Sequence, residues 1–238
     1  MAESSPTIYF GFGSNLWLDQ MRTRCPTSTY LGVARLNDYK WIINDRGYAN
    51  VVSSPSANSS EKKYAHTVFG LVYALLPTDE SRLDRNEGVP HAYTKEYLPC
   101  DFWASKDGTP IDVNDSPTET GKKMLVYIDR KRITDDKPKE EYVYRMNRGI
   151  DDAIKMGVPE AYVKEVMRRF IPAEDEVESR KSLEEKARRQ AGEFVDEGHV
   201  NGFYGEPADS DWDLHVNATD IWTAICMCVL GSSAKPKL

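Results

Sequence analysis

The order in which two kinds of pattern occur along the chain constrains its fold more than any one residue does. β-rich runs fill the stretch up to residue 128, and helix-period runs dominate from Lys139 onward. Residues 7–12 read as a buried strand, followed by a short helix over 16–24. Residues 30–36, 41–44 and 48–53 are β-branched and aromatic runs separated by turn residues, and 66–76 is the strongest strand. Pro77-Thr78-Asp79-Glu80 opens a helix with Thr78 as the expected N-cap and acids in its first turn; it ends at Gly88. Residues 93–103 and 123–128 follow as strands around a polar loop, 105–121. Residues 139–156 then place Val143, Met146, Ile150, Ala153 and Ile154 on one helical face. Gly157-Val158-Pro159 breaks that helix, and 160–171 reads as another. Strands first and helices later predict an α+β fold with a mostly antiparallel sheet, not alternating βαβ units.

Length and charge narrow the class. A chain of 238 residues can bury a proper core as one large domain or two small ones. Hydrophobic residues at 40% and charged residues at 29% fit a soluble globular protein. A net charge of -7 argues against nucleic acid as a partner, because phosphate binding needs a basic surface. No apolar run reaches the roughly 20 residues a membrane-crossing helix requires. The run over 221–230 is too short and is assigned to a core. The start of the chain carries neither a basic nor an apolar secretory region, so a cytoplasmic location is expected. Cys25, Cys100, Cys226 and Cys228 include no CxxC pair and read as reduced and structural. The N-x-[ST] triplets at Asn58, Asn114 and Asn217 then read as chance matches. Residues 174–197 are charge-rich, with Leu183, Ala187, Ala191 and Phe194 in a narrow helical stripe suited to lying along the body.

Three groups of residues carry chemistry. Gly11 and Gly13, with Ser14 and Asn15, let the backbone approach a ligand closely, and consecutive N–H groups at the head of a helix can cradle an anion. Glu87, just before the helix-ending Gly88, sits where the helix macrodipole disfavours a carboxylate. To act as a base near neutrality, a glutamate must rise from about 4.3 to about 6–7, roughly 3 kcal/mol of desolvation or neighbouring charge. Tyr93, Tyr127 and Tyr142 fall at strand ends or a helix start, where their hydroxyls reach a pocket. Each group alone has an ordinary reading as a turn, a surface acid or core-edge aromatics. No metal or cofactor is implied. Asp209, Asp211 and Asp213 lack the glycine and terminal glutamate of a calcium loop. His66, His91, His199 and His215 lack zinc spacing, Cys226-Met227-Cys228 reads as core, and Ser14 has no His or Asp arranged to make it a nucleophile.

Taken in order, these residues resemble the γ-glutamylcyclotransferase superfamily, with its Y-G-S-N-L turn, V-x-G-x-V-Y strand and L-D-x-x-E-G-V helix end. The matching segments are Phe12-Gly13-Ser14-Asn15-Leu16, Val68-Phe69-Gly70-Leu71-Val72-Tyr73 and Leu83-Asp84-Arg85-Asn86-Glu87-Gly88-Val89. Ala34-Arg35-Leu36-Asn37-Asp38-Tyr39-Lys40 is similar to the family's A-R-L-x-D-[FY]-[KR] segment. Glu141-Tyr142 and Gly157-Val158-Pro159-Glu160-Ala161-Tyr162 resemble its late helical region. The resemblance implies a small mixed, mostly antiparallel β-barrel with flanking helices over 7–172, and a C-terminal helical extension, 173–238, packed on it. It implies cofactor-independent release of 5-oxoproline from a small-molecule γ-glutamyl substrate, such as a γ-glutamyl peptide or a glutathione-derived conjugate. Glu87 would be the general acid/base. Backbone N–H groups around Gly13, Ser14, Asn15 and Leu16 would hold the glutamyl carboxylate or an oxyanion, and Phe12, Tyr93, Tyr127 and Tyr142 would line the pocket. Phe12 stands where the family has tyrosine, and the extension exceeds the compact family pattern; it would close the pocket, form a homodimer surface or widen the substrate range. Two other readings use the same pocket: proton transfer or cyclisation on a specialised metabolite, and small-molecule binding without turnover.

Overall fold

A computed structural model describes residues 5–55, 62–173 and 181–192. Five strands close into a barrel in the order β1-β5-β2-β6-β7: β1 (Thr7–Gly11), β2 (Thr29–Asn37), β5 (Thr67–Leu75), β6 (Thr94–Ala104) and β7 (Glu119–Ile128). β3 (Tyr39–Ile43) and β4 (Ala49–Ser53) form a separate two-stranded hairpin. All barrel pairings are antiparallel except β1 with β7, which run parallel through Tyr9 and Leu125. The barrel is therefore mixed but mostly antiparallel: the strand-first order predicts the antiparallel pairing, and the family resemblance implies the mixed barrel.

This topology decides where the site lies. Because β1 and β7 run parallel, the chain leaves both at the same end of the barrel. β6 pairs with β7 in reverse, Thr94 opposite Ile128, so Tyr93 enters at that end too. The turn after Gly11, the tip of β7 at Tyr127 and Tyr93 thus meet, although more than a hundred positions separate the outermost of them. β5 exits at the opposite end, with Leu75 beside Thr7. The helix α2 (Pro77–Asn86) then returns the chain by about 15 Å, at 1.5 Å per residue. That return delivers Glu87 to the mouth.

The helices depart from the sequence reading in three places. The segment expected as one helix from Leu16 begins instead as a 3₁₀ turn, Ser14–Leu16, and becomes α1 at Leu18–Arg24. In α2 the N-cap is Leu76, not Thr78, and makes no side-chain cap; Pro77 takes the first helical position, where its missing N–H costs nothing. The helix expected over 160–171 stops early, as α4 (Glu160–Glu165), and tightens into a 3₁₀ turn at Met167–Arg169. β7 also begins at Glu119, inside the stretch read as a polar loop, because Phe102 of β6 pairs with Glu119 across a bulge.

α3 (Glu140–Lys155) buries Val143, Met146, Ile150 and Ala153 as the periodicity predicts. It buries Glu141, Arg145 and Asn147 as well. From the extension, α5 (Lys181–Gly192) packs on α1 and α3 with Ala187 and Ala191 buried. Phe194, the run over 221–230, the aspartates from Asp209, Asn58, Asn217, His199, His215, Cys226 and Cys228 lie outside the described residues. Cys25 and Cys100 are buried free thiols, and burial pushes both up to about 12. Among the described residues no helix is long and apolar enough to cross a membrane.

Candidate active site

A cleft of about 470 Å³, including the solvent at its mouth, opens at the end of the barrel where β1 and β7 finish. Phe12, Gly13, Ser14, Asn15, Glu87, Tyr93, Tyr127 and Tyr142 all line it. Leu16 does not. Its side chain is fully buried against Gly149 of α3, and its N–H is bonded to the Gly13 carbonyl at 2.9 Å, which closes the 3₁₀ turn. Leu16 is thus an anchor for the turn rather than a ligand contact.

Glu87 caps the C-terminus of α2 and is the only carboxylate among the described lining residues. Its Oε1 accepts a hydrogen bond from Asn15 Nδ2 at 3.0 Å. The same amide group donates to Tyr9 Oη at 2.8 Å, while Asn15 Oδ1 accepts from Gln20 Nε2 at 2.8 Å and Arg24 Nη1 at 3.1 Å. The glycine turn and the glutamate, 72 positions apart, are therefore in direct contact through one side chain. Burial raises the Glu87 carboxyl above its ordinary value; Arg24, the Asn15 hydrogen bond, Arg46 and Arg145 pull in the opposite direction without cancelling it. A carboxyl raised in this way, held by one donor and open to a cleft, is suited to take up and return a proton.

The turn is not a ring of bare N–H groups. Ser14 N donates to Tyr142 Oη at 3.2 Å, and Ala49 N donates to the same oxygen at 3.2 Å. With the Leu16 N–H also committed, the expected backbone cradle is partly closed by α3. What the cleft presents at that point is the phenol. Its oxygen already accepts two hydrogen bonds, so its proton is available to a ligand. Burial pushes Tyr142 up to about 12, against Arg145 and the two backbone donors, so it is neutral and a donor near neutrality. Burial likewise raises Tyr9 and Tyr93 well above the usual range, and raises Tyr127 together with its hydrogen bond to Asp84. Tyr127 Oη donates to Asp84 Oδ1 at 2.7 Å and Tyr93 Oη to the Ala49 carbonyl at 3.0 Å, so these two hydroxyls shape the wall. Gly13 is required by this arrangement, since a Cβ there would sit 2.8 Å from Tyr142 Oη.

Sequence reasoning missed the cations. Arg145 is 1% exposed, yet it lines the cleft, donating to Ser14 Oγ at 3.1 Å and gripping Glu141 with Nε at 3.0 Å and Nη2 at 3.2 Å. Ser14 Oγ also accepts from Gln20 Nε2 at 2.9 Å, which fixes it as an acceptor in a polar network. Arg24 lines the cleft too; burial, with Arg145 nearby, lowers it to about 10, which leaves it a cation at neutral pH. A signal for Arg145 was present: it follows Glu141 by one helical turn on the stripe of Tyr142 and Met146, where a charge must be paired to be buried. Arg24 carries no such signal, because a basic residue in the last turn of a short helix is an ordinary complement to the helix dipole. Among the described residues no group of three His, Cys, Asp or Glu is placed to hold a metal ion.

No protein-family model matches the chain. It is 30% identical over 99 residues to γ-glutamylcyclotransferase of Bos taurus, covering 41% of this chain and 51% of that protein. It is 29% identical over 97 residues to the Mus musculus γ-glutamylcyclotransferase, covering 37% and 47%. The chain spans about half the length of the curated relatives it matches. A solved γ-glutamyl cyclotransferase structure superposes with a TM-score of 0.52 at 19% identity, over 77% of this chain and 98% of that one, which shows a shared fold.

Proposed function

Because the chain belongs to the γ-glutamylcyclotransferase superfamily, we propose that it converts a γ-glutamyl peptide, amine or glutathione-derived conjugate into 5-oxoproline, with Glu87 as the general acid/base. The observation that carries this reading is the Asn15–Glu87 hydrogen bond, which joins the Gly-Ser-Asn turn to the cleft's carboxylate.

The chemistry asks for little more. A substrate's α-amine is an ammonium at neutral pH and cannot attack until it loses a proton. Glu87 accepts that proton. The freed nitrogen attacks the γ-carbonyl carbon, a new C–N bond closes the ring, and the carbonyl electron pair moves onto oxygen. Collapse of this intermediate breaks the C–N bond to the leaving group as Glu87 returns its proton to the departing nitrogen, and the ring nitrogen gives up its second proton to water at the mouth of the cleft, which leaves a neutral lactam. The raised carboxyl suits both transfers, since it is neither too weak a base nor too weak an acid. The Tyr142 hydroxyl is the donor for the developing oxyanion or the glutamyl carboxylate. Arg24, whose hydrogen-bond acceptors are neutral, adds positive charge to the same wall, while Arg145 is balanced by Glu141; the net effect favours an anionic group there.

The test is direct. Purified protein is incubated with γ-Glu-Ala, glutathione and a panel of γ-glutamyl amides, and 5-oxoproline is measured. Wild type is expected to form it, and Glu87→Gln to lose about 10²–10⁴-fold in rate. No 5-oxoproline from any member of the panel, or an unimpaired Glu87→Gln, would reject the reading.

A further inference from the structure

Arg24 is a buried cation, 4% exposed, whose guanidinium reaches three acceptors at once. Nε donates to the Ala191 carbonyl at 2.8 Å, Nη2 to the Gln190 carbonyl at 2.8 Å, and Nη1 to Asn15 Oδ1 at 3.1 Å. Both carbonyls belong to residues of α5. One side chain of α1 therefore binds two backbone carbonyls of a helix up to 167 positions away and touches the residue that holds Glu87.

The contact with Asn15 fixes a direction. A carboxamide can be turned over, exchanging its oxygen and nitrogen. Here a guanidinium and the Gln20 amide both donate to one end, so that end must be the oxygen. The nitrogen then points at Tyr9 and Glu87, which accept. We propose that Arg24 is a positioning residue that clamps the Gln190 and Ala191 carbonyls of α5 to the Asn15 carboxamide, holding that amide with its nitrogen toward Glu87 and making α5 a working part of the site. This rests on the reading of Glu87 as the acid/base. The packing of α5 suits such a clamp, because Ala187 and Ala191 are buried where it meets α1 and α3, and their small side chains allow the close approach.

Three variants of the full chain test the clamp: Arg24→Gln, Arg24→Lys and Ala187→Trp, the last placing a bulky ring where the helix has no room. Folding is checked by thermal melting. Arg24→Gln is expected to lower kcat about 10²-fold, the scale of a small misplacement at the reacting centre, with KM moving far less. Among the described residues the guanidiniums of Arg24 from α1, Arg46 from the β3–β4 turn and Arg145 from α3 act electrostatically on Glu87, and the surrounding tyrosines are neutral. Loss of one cation therefore moves the acid limb of kcat/KM to higher pH. Arg24→Lys keeps the charge and restores that limb, but it lacks the fork and leaves kcat low. Ala187→Trp lowers kcat by a similar factor, and amide exchange accelerates both in α5 and over Gly13–Asn15. An undocked α5 with wild-type kcat would overturn the proposal, as would a folded Arg24→Gln with wild-type kcat and pH limb. Should Arg24→Gln fail to fold, Arg24→Lys and Ala187→Trp decide. If wild type makes no 5-oxoproline, the functional reading falls by itself. The clamp is then judged by exchange alone, and unchanged protection over Gly13–Asn15 in Ala187→Trp overturns it.

Discussion

In the barrel wall, Val33, Leu71, Val72 and Leu75 are fully buried among other apolar side chains. At the barrel mouth, Gln20, Arg24, Glu141 and Arg145 are buried almost as deeply, and every one is polar or charged. The two regions share strands and touch through the turn after β1, yet they are held together by different physics. Apolar burial is non-directional and tolerates exchange of shape for shape. The mouth depends on donors and acceptors that must meet at fixed angles, and each buried charge relies on a named partner. A wall residue therefore governs how much of the protein is folded. A mouth residue also governs what the folded molecule does.

The sharpest way to break this contrast is a matched pair. Glu141→Ala leaves Arg145 without its bidentate partner and is expected to destabilise by about 3–5 kcal/mol. Leu71→Ala in the wall opens a cavity of comparable cost, about 2–5 kcal/mol. Chemical denaturation should therefore rank them together, while 5-oxoproline formation per folded molecule falls in Glu141→Ala and stays near wild type in Leu71→Ala. Equal turnover in the two would make the mouth merely another part of the core.

A smaller effect separates two tyrosines of the cleft. Tyr142→Phe removes the hydroxyl assigned to the substrate anion and is expected to cost about 10²–10³-fold in kcat. Tyr127→Phe removes a hydrogen bond to Asp84, which keeps its ion pair with Lys95, and should cost about 1 kcal/mol of stability with little change in kcat. Steady-state kinetics on both variants would expose a wrong division of labour if their rate losses matched.

The smallest effect concerns Glu87 and pH. Its folded-state value is raised, so folding favours the protonated form. The stability this contributes is fully present below the unfolded value of about 4.3 and is lost as pH rises through the raised folded value. Glu87→Gln cannot titrate. Its melting temperature relative to wild type should therefore rise with pH across that window and level off above it. A difference that is flat in pH would place the Glu87 carboxyl at its ordinary value.

The strands were readable because β-branched and aromatic runs and their turn residues are local signals. β2, β4 and β5 begin and end within two residues of where the pattern places them. Helix ends were less readable. Thr78 has the chemistry of an N-cap, but Pro77 beside it is pre-set for the first helical position and moved the start back to Leu76. The helix over 160–171 broke because a helical pattern does not reveal where the chain must turn tightly to bury Met167 and Ile171.

Sequence by itself determined the strand-first order that predicts an α+β fold with a mostly antiparallel sheet, the Gly-Ser-Asn turn, and Glu87 as the acid worth attention. Each is written in neighbouring residues, where backbone sterics and side-chain periodicity act. Only the tertiary structure decided that Asn15 holds Glu87, that Tyr142 covers the Ser14 N–H, that Leu16 belongs to the core, and that Arg24 and Arg145 stand beside the acid. Those contacts join positions 72 to 131 residues apart, or depend on burying a cation that a surface helix would carry just as well. The physical reason is desolvation. Whether a charge is an ordinary surface group or part of a site depends on what closes over it, and that is set by how barrel and helices pack.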